Sequence, residues 1–447
     1  MLPSRRGSST LSALVGVFVP VSLSVACSPA SPAALATPPA LATPQRPAGC
    51  KVIGPSEDLS AALSSASAGE ALCLEAGTWV GQFRVGDGVT LWGSRASVLK
   101  TSGEGTTVTL GSQSQILGVS VDGSGGRFDV LDAAIKVGGV GAVVMGTEVR
   151  HSVFGILVEK ASQVTVRGNH VVGIGGEALG MRGDGIRLWE AQHSRVEENW
   201  VEAARDTVVW YSSDNVIERN QVEHGRYGMH LMYSHRNRVA DNRFLSNEVG
   251  IFAMYSRELT LERNLMKHAH GAAGMGIGAK ESANLVVRDN LIADNTLGVF
   301  LDNSPLEAKD TNLFEHNSIV FCDVGVGFLA SQAGNRFRQN AFRDNNAMVR
   351  VDGGGDALGT EWVENYWSDY AGYDLDRDGF GDVPYELRDL GDAMEAKVPL
   401  LGFLRGTPAL ALVTVAGEAV PLLAPKTVLR DQRPMLQPEP PGAQHAH

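Results

Sequence analysis

The sequence predicts an all-β chain: a parallel β-helix, or solenoid, with a short N-terminal capping helix. Three observations carry this. First, an Asn recurs after short alternating strands, at Asn169, Asn199, Asn220, Asn242, Asn264, Asn290, Asn317 and Asn340, with steps of 30, 21, 22, 22, 26, 27 and 23 residues. Second, between these asparagines lies another strand opened by Gly, at Gly155, Gly185, Gly228, Gly250, Gly276, Gly298 and Gly325. Third, no helical period runs through this region. A short-strand unit of about 22 residues cannot bury a face alone, but stacked units can. Leucine-rich repeats need a regular Leu/Asn consensus that is absent here, and a propeller blade needs about 40 residues. The recurring Asn is expected to hold a left-handed turn and to bond its equivalent in the next coil. Gly is expected to open the neighbouring turn for the same steric reason. About ten coils stacked at about 4.8 Å would make a rod of roughly 45–55 Å.

An open solenoid needs caps. Residues 57–68 read as a short amphipathic helix able to cover the first coil. At the other end, residues 365–370 (Asn-Tyr-Trp-Ser-Asp-Tyr) break the pattern with aromatics suited to plug the last coil. The β-helix with its caps is assigned to 50–400, followed by an apolar, then Pro-rich tail over 401–447.

The N-terminus reads as an export signal over 1–27. Arg5 and Arg6 precede an apolar run from Leu11 to about Val25. Residues 23–27 (Leu-Ser-Val-Ala-Cys) resemble a lipoprotein box, with Ser24 where Leu is usual. The expectation is an exported chain, lipidated at Cys27 or cleaved nearby. Residues 28–49 are rich in Ala and Pro and read as a tether. No later run of 18 apolar residues occurs.

The chain has 447 residues, with 38 basic against 50 acidic side chains and a formal net charge of −12. That balance argues against a nucleic-acid binder, which needs a basic stripe, and against electrostatic adhesion to anionic lipid. The 52 Gly without a Gly-X-Y period exclude collagen and suit many tight turns. Cys50 and Cys73 flank the capping helix and suit a disulfide in an oxidising compartment, the alternative being two buried thiols. Cys322 sits in an apolar strand pattern and reads as core.

One set of motifs resembles a known family. Residues 183–189 (Gly-Asp-Gly-Ile-Arg-Leu-Trp), Arg205-Asp206, 210–212 (Trp-Tyr-Ser) and 226–234 (Arg-Tyr-Gly-Met-His-Leu-Met-Tyr-Ser) form a run. It continues through 254–256 (Met-Tyr-Ser), 274–278 with Lys280, 365–370 and 372–382. Together these resemble the NosD family of periplasmic accessory proteins in nitrous-oxide-reductase maturation, over roughly 55–440. The resemblance implies a right-handed parallel β-helix of the carbohydrate-binding and sugar-hydrolase type. It implies a partner ABC transporter with NosF-like and NosY-like subunits, and a role in building the copper–sulfur centre of nitrous oxide reductase as client. The chain has no P-loop motif of its own, so a partner would hydrolyse ATP.

Parallel β-helices also host polysaccharide lyases, hydrolases and epimerases, and fold alone does not choose. Asp184 and Asp206, about one coil apart, Asp302, and Arg182, Arg205 and Arg226 are the candidates for such chemistry. The competing reading is that the aspartates pair with nearby arginines. No Gly-x-Ser-x-Gly and no His-Glu-x-x-His motif occurs, so no intrinsic catalysis is expected.

Two metal sites are expected. Counting back ten residues from Asn199, Asn220, Asn242, Asn264 and Asn290 gives Trp189, Trp210, Met232, Met254 and Lys280. Equivalent positions stack, so Met254 should lie above Met232. Strand alternation sends His230 and Met232 outward if Met229 and Leu231 are core. Two thioethers and an imidazole suit Cu(I), while Trp189 and Trp210 extend the stripe as a partner surface. A register shift of one would instead make the Met column core. His224, Met266, His268, His270 and Met275 lie in nearby coils of other lengths. Asp374, Asp376, Asp378 and Asp382, with Gly379 at the turn, form an Asp-rich loop suited to calcium, although Tyr385 stands where an EF-hand has Glu. The apolar runs within 401–435 are too short to span a bilayer and are expected to dock on a membrane partner or to pack along the rod.

Overall fold

In the computed structural model the described residues are 41–176, 178–331, 333–389, 407, 408, 412 and 426–438. Three parallel sheets of 14, 13 and 12 strands stack coil upon coil. In each complete coil the chain passes through a strand of the first sheet (such as Thr165–Arg167), then the second (His170–Val172), then the third (Tyr227–Met232 is one). Fourteen rows at about 4.8 Å extend about 62 Å, more than the ten coils and 45–55 Å read from the repeat. The early coils carry Val119 and Thr147 where later ones carry Asn, so the Asn repeat hides them.

The asparagines form a continuous buried ladder. Asn199 Nδ2 donates to Asn220 Oδ1 (2.9 Å), Asn220 to Asn242 (2.9 Å) and Asn242 to Asn264 (3.0 Å). Each backbone N–H donates to the same oxygen of the next coil, as Asn220 N does to Asn242 Oδ1 (2.9 Å). The expected conformation is corrected, however. The left-handed residue is the one before each Asn: Gly168, Glu198, Arg219, Asp241 and Arg263 have φ between +51° and +59°. The Asn itself is not in the left-handed region, and its side chain is buried. The glycine column is likewise not a left-handed position. A Cβ on Gly250 would lie 2.4 Å from Gly276 O, and one on Gly155 2.3 Å from Gly185 O. Neighbouring coils approach too closely there for a methyl group.

Asp58 caps the helix Leu59–Ser65, its Oδ1 accepting from Ala61 N at 3.0 Å. Leu59 and Leu63 enter the core over the first coil. Of the expected tether, residues 41–49 are described, and they lie along the coils. Ala42 N donates to Gly168 O (3.1 Å), and Trp92 Nε1 donates to Pro44 O (3.0 Å). Gly146 and Gly168 make room, since a Cβ on either would lie 2.4–2.5 Å from Ala42.

The far end is closed by aromatics and by the tail. Trp367 stacks between Phe342 (4.4 Å) and Tyr385 (4.5 Å). Tyr385–Asp389 pairs antiparallel with Lys426–Asp431. The described part of the tail, 426–438, is therefore tied to the cap, because Val428 and Leu429 are core residues there. Residues 409–411 and 413–425, which hold the apolar runs expected to dock, lie outside the described residues.

The outer side of the first sheet carries a lattice of charge. Glu262, buried, receives Arg288 (Nη2–Oε2 2.6 Å), Arg238 (Nε–Oε1 2.7 Å) and Arg263 (Nη2–Oε1 3.2 Å). Burial pushes this carboxyl up, but the hydrogen bonds of Arg288, Arg238 and Arg263 outweigh it and hold it at about 2. A depressed carboxyl stabilises above its unfolded pKa, and that stability is lost as pH falls from about 4.5 through about 2. With solvent screening around the part-exposed arginines discounted, Glu262→Gln is expected to cost about 2 kcal/mol at pH 7. The gap between the two proteins in urea unfolding should shrink progressively below about pH 4.5.

Candidate metal centre

The third sheet places the sequence-predicted column in register. Trp189 pairs with Trp210, Trp210 with Met232, Met232 with Met254, and Met254 with Lys280. Met229 and Leu231 are fully buried in the core, so His230 and Met232 take the outer face. The count back from each Asn works because insertions fall elsewhere: the 26-residue coil from Asn264 to Asn290 keeps its ten residues between Lys280 and Asn290.

His230 is on the outer face but covered, with 6% of its surface exposed. The ring of Tyr227 lies 4.7 Å away and Trp210 meets it edge-on at 5.3 Å. Phe252, which stacks on Tyr227 at 5.6 Å, closes another side. Phe252 has room because residue 278 is Gly; a Cβ there would lie 2.3 Å from its ring. Trp210 Nε1 donates to His230 Nδ1 at 3.3 Å, which turns Nε2 toward Met254 Sδ, also 3.3 Å away. Burial lowers the imidazole to about 4, with Arg226 and Arg205 adding to the effect against Asp206. A neutral imidazole beside the Met254 thioether of the adjacent strand, with the Met232 thioether in its own strand paired to Met254, is a donor set for a soft cation.

Beside it, Arg187 lies over Trp189 (4.5 Å) and Trp210 (5.2 Å). Tyr211, Tyr233 and Tyr255 stack coil to coil at 5.4 and 4.8 Å, with Tyr211 and Tyr233 exposed. Sequence reasoning used the tryptophans and missed these tyrosines. The signal was present, since Trp-Tyr-Ser at 210–212 recurs as Met-Tyr-Ser at 232–234 and 254–256. The cover by Tyr227 and Phe252 depends on packing between coils and leaves no such repeat.

Asp184 and Asp206 are fully committed to arginines. Asp184 binds Arg205 (2.7 Å) and Arg187 (3.3 Å), and Asp206 binds Arg226 (Nε–Oδ1 3.0 Å). Burial raises the Asp184 carboxyl against the pull of Arg205. Asp302 pairs with Lys280 at 3.1 Å. Cys50 and Cys73 are joined as a disulfide, with Cα atoms 5.7 Å apart. Cys322 is buried, and burial pushes its thiol up to about 11. Cys27 lies outside the described residues. In the Asp-rich loop, carboxylate oxygens of Asp374, Asp376 and Asp378 lie within 4.8 Å of one another. Asp378 also holds Arg433 (2.8 Å), and Asp382 is turned to Leu375 N (2.6 Å).

Comparison with known proteins identifies the family. A protein from Pseudomonas aeruginosa named "Probable ABC transporter binding protein NosD" is 30% identical over 402 residues, covering 81% of this chain and 87% of that protein. The chain belongs to the NosD family. A relative of the same name from Stutzerimonas stutzeri is 27% identical over 393 residues, covering 81% of this chain and 86% of the relative. Residues 172–372 match the NosD family profile, described as a periplasmic copper-binding protein. That span includes Trp189, Trp210, His230, Met232 and Met254. Among solved structures, the A-module of the mannuronan C-5 epimerase AlgE6 from Azotobacter vinelandii superposes with a TM-score of 0.52 at 15% identity, over 68% of this chain and 94% of that one. The catalytic unit of a GH87 α-1,3-glucanase from Streptomyces thermodiastaticus gives 0.56 at 14% identity, over 74% and 71%. At such identities the likeness shows the β-helix fold alone.

The buried imidazole has a checkable consequence. His230 is neutral in the folded chain down to about pH 4, whereas an unfolded His takes a proton near 6.5. Between those values the unfolded state binds more protons, so His230 makes the chain less stable as pH falls from about 6.5 to about 4. NMR of the metal-free protein should show the His230 imidazole titrating near 4. A midpoint near 6.5 would mean that the ring is not held under Tyr227 and Phe252.

Proposed function

We propose that this NosD-family chain is a non-catalytic periplasmic accessory protein. It works beside an ABC transporter and presents Cu(I) on the outer face of its third sheet for assembly of the copper–sulfur centre of nitrous oxide reductase. The observation that carries the reading is the placement of His230 Nε2 at 3.3 Å from Met254 Sδ, with Met232 paired directly to Met254. The family description as copper-binding and the relatives' names as ABC transporter binding proteins support it. Copper here is cargo. His230, Met232 and Met254 would hold it, and soft thioethers favour the monovalent ion. Ligation through Nε2 moves the imidazole proton to Nδ1, so the Trp210 indole N–H has to turn away. Trp189, Trp210 and the exposed tyrosines border the site as the surface for nitrous oxide reductase, while the NosF/NosY-type transporter is met through its NosY-type membrane subunit.

Export by the N-terminal signal, with lipidation at Cys27 or cleavage nearby, belongs to the same reading. Among the described residues no helix is long and apolar enough to cross a membrane. The polysaccharide-enzyme reading is supported less, since the carboxylates it would use, Asp184 and Asp206, are both taken by arginines. Calcium in the loop of Asp374, Asp376, Asp378 and Asp382 is proposed as a structural ion of the C-terminal cap.

The test combines titration and complementation. Cu(I) titrated against a competing chelator should bind wild type with a change in Trp fluorescence. His230→Ala, Met232→Leu and Met254→Leu each remove a ligand and should weaken binding by at least the roughly 10–100-fold that loss of an outer-shell partner costs. In a denitrifying host lacking the chain, those variants should leave nitrous oxide reductase exported but short of its copper–sulfur spectrum. Equal Cu(I) affinity in all four proteins, or a normal centre in the deletion strain, contradicts the proposal. Separately, calcium should raise the melting temperature and Asp376→Ala should abolish the rise; a wild-type melt unmoved by chelator removes calcium from the account.

A further inference from the structure

A second cluster of metal-ligating side chains lies at the turn between the second and third sheets. His268 and Asp294 occupy the same left-handed position in consecutive coils, with φ of +64° and +54°. His268 N donates to Asp294 O at 3.1 Å, so the stacking of coils alone sets the two side chains one above the other. His268 Nδ1 lies 2.7 Å from Asp294 Oδ2. His270 arrives by insertion. The coil from Asn264 to Asn290 has 26 residues where the preceding one has 22. Ala269 N is pinned to the buried Asn295 Oδ1 (2.8 Å), and Gly274 N closes the loop on Gly271 O (3.0 Å), with Gly271 at φ +100°. That tight loop turns the His270 ring back, bringing Nε2 to 3.4 Å from Asp294 Oδ1. One ligand atom from each of the three residues lies within 4.8 Å of the other two.

We propose that His268, His270 and Asp294 bind a divalent first-row transition-metal ion, with Cu(II) preferred to Zn(II). The donor chemistry differs from that at His230. Two imidazole nitrogens and a carboxylate oxygen are borderline to hard donors, and affinity for such sites peaks at Cu(II) in the divalent series. The side chains are 40–57% exposed, so solvent completes the coordination sphere. The site is separate from the thioether site. Met275 follows the loop at the start of strand Met275–Lys280, and Met254 pairs with Lys280 at its end. Five residues of strand put about 16 Å between them. The inference does not rest on the Cu(I) reading and can fail without it.

The experiment uses the full mature chain, stripped of metal and carrying His445→Ala and His447→Ala so that the terminal histidines do not compete. Cu(II) and Zn(II) are titrated against a chelator, and the Cu(II) form is examined by electron paramagnetic resonance. The expected result is one Cu(II) bound with hyperfine coupling to two imidazole nitrogens, and with higher affinity than Zn(II). His270→Ala and Asp294→Asn should each weaken Cu(II) by at least the roughly 10–100-fold that loss of an outer-shell partner costs, while leaving the melting curve in place, since both side chains are partly exposed. The double variant His230→Ala/Met254→Leu should bind Cu(II) as wild type does. Unchanged Cu(II) affinity and spectrum in His270→Ala and Asp294→Asn would overturn the site, as would loss of Cu(II) only in the His230→Ala/Met254→Leu protein. Tighter Zn(II) than Cu(II) binding would overturn the stated preference.

Discussion

The stacked carboxamides of the asparagine ladder fix the register on which the rest of the structure depends. Each side chain uses its two N–H groups and its oxygen, donating from Nδ2 both to the next Asn and to a backbone carbonyl of the coil before, as Asn242 Nδ2 does to Ile217 O at 2.9 Å. A buried amide left without these partners costs about 1–3 kcal/mol, so a slipped coil is penalised at every rung. The ladder begins where Thr147 N meets Asn169 Oδ1 (2.9 Å) and runs to Asn365. It ends on Asp431, fully buried, whose carboxylate accepts from Asn365 N (2.9 Å), Asn365 Nδ2 (3.0 Å) and Trp367 Nε1 (3.2 Å). A carboxylate suits the final rung because it accepts without bringing donors that would need partners in turn. The tail thus completes the hydrogen bonding that the last coil leaves open.

Because the register is locked, a column of residues in sequence becomes a column in space. The outer faces then differ by what the sequence writes there. The first sheet alternates Arg and Glu, with Arg195, Arg219 and Arg238 lacing Glu197, Glu218 and Glu262 across coils. The third sheet carries indoles, thioethers and an imidazole, with Arg187 over the indoles and Arg226 and Arg205 acting on the imidazole. Burial under Trp210, Tyr227 and Phe252 keeps His230 neutral, while Asp184 and Asp206 are held by arginines and are not free to bind a cation.

The stacking of Trp189, Trp210, Met232, Met254 and Lys280 was legible because the segment from each of these residues to its Asn has constant length, whatever the coil does elsewhere. The fold was legible for the same reason. Other features were not. The left-handed turn belongs to Glu198 and Arg219 rather than to the Asn beside them, which depends on backbone bonds between coils such as Arg219 N to Ala240 O (3.1 Å). The glycines at 228, 250 and 276 answer to carbonyl oxygens one coil away, and no local turn rule records that. Gly146 and Gly168 are small because residues 42–44 lie across them, a contact more than a hundred residues distant in sequence. Asp431 gives no sign in the sequence of its place on the ladder, 66 residues from Asn365. What was missed rests on contacts between coils or between distant segments, where a linear period carries no information.

The most direct measurement is anomalous diffraction at the copper edge from crystals of the full chain soaked anaerobically with Cu(I). The locked register predicts a peak at bonding distance from His230 Nε2, Met232 Sδ and Met254 Sδ, with the Trp210 indole turned off His230. Copper bound elsewhere on the chain with none at these three atoms would contradict the account.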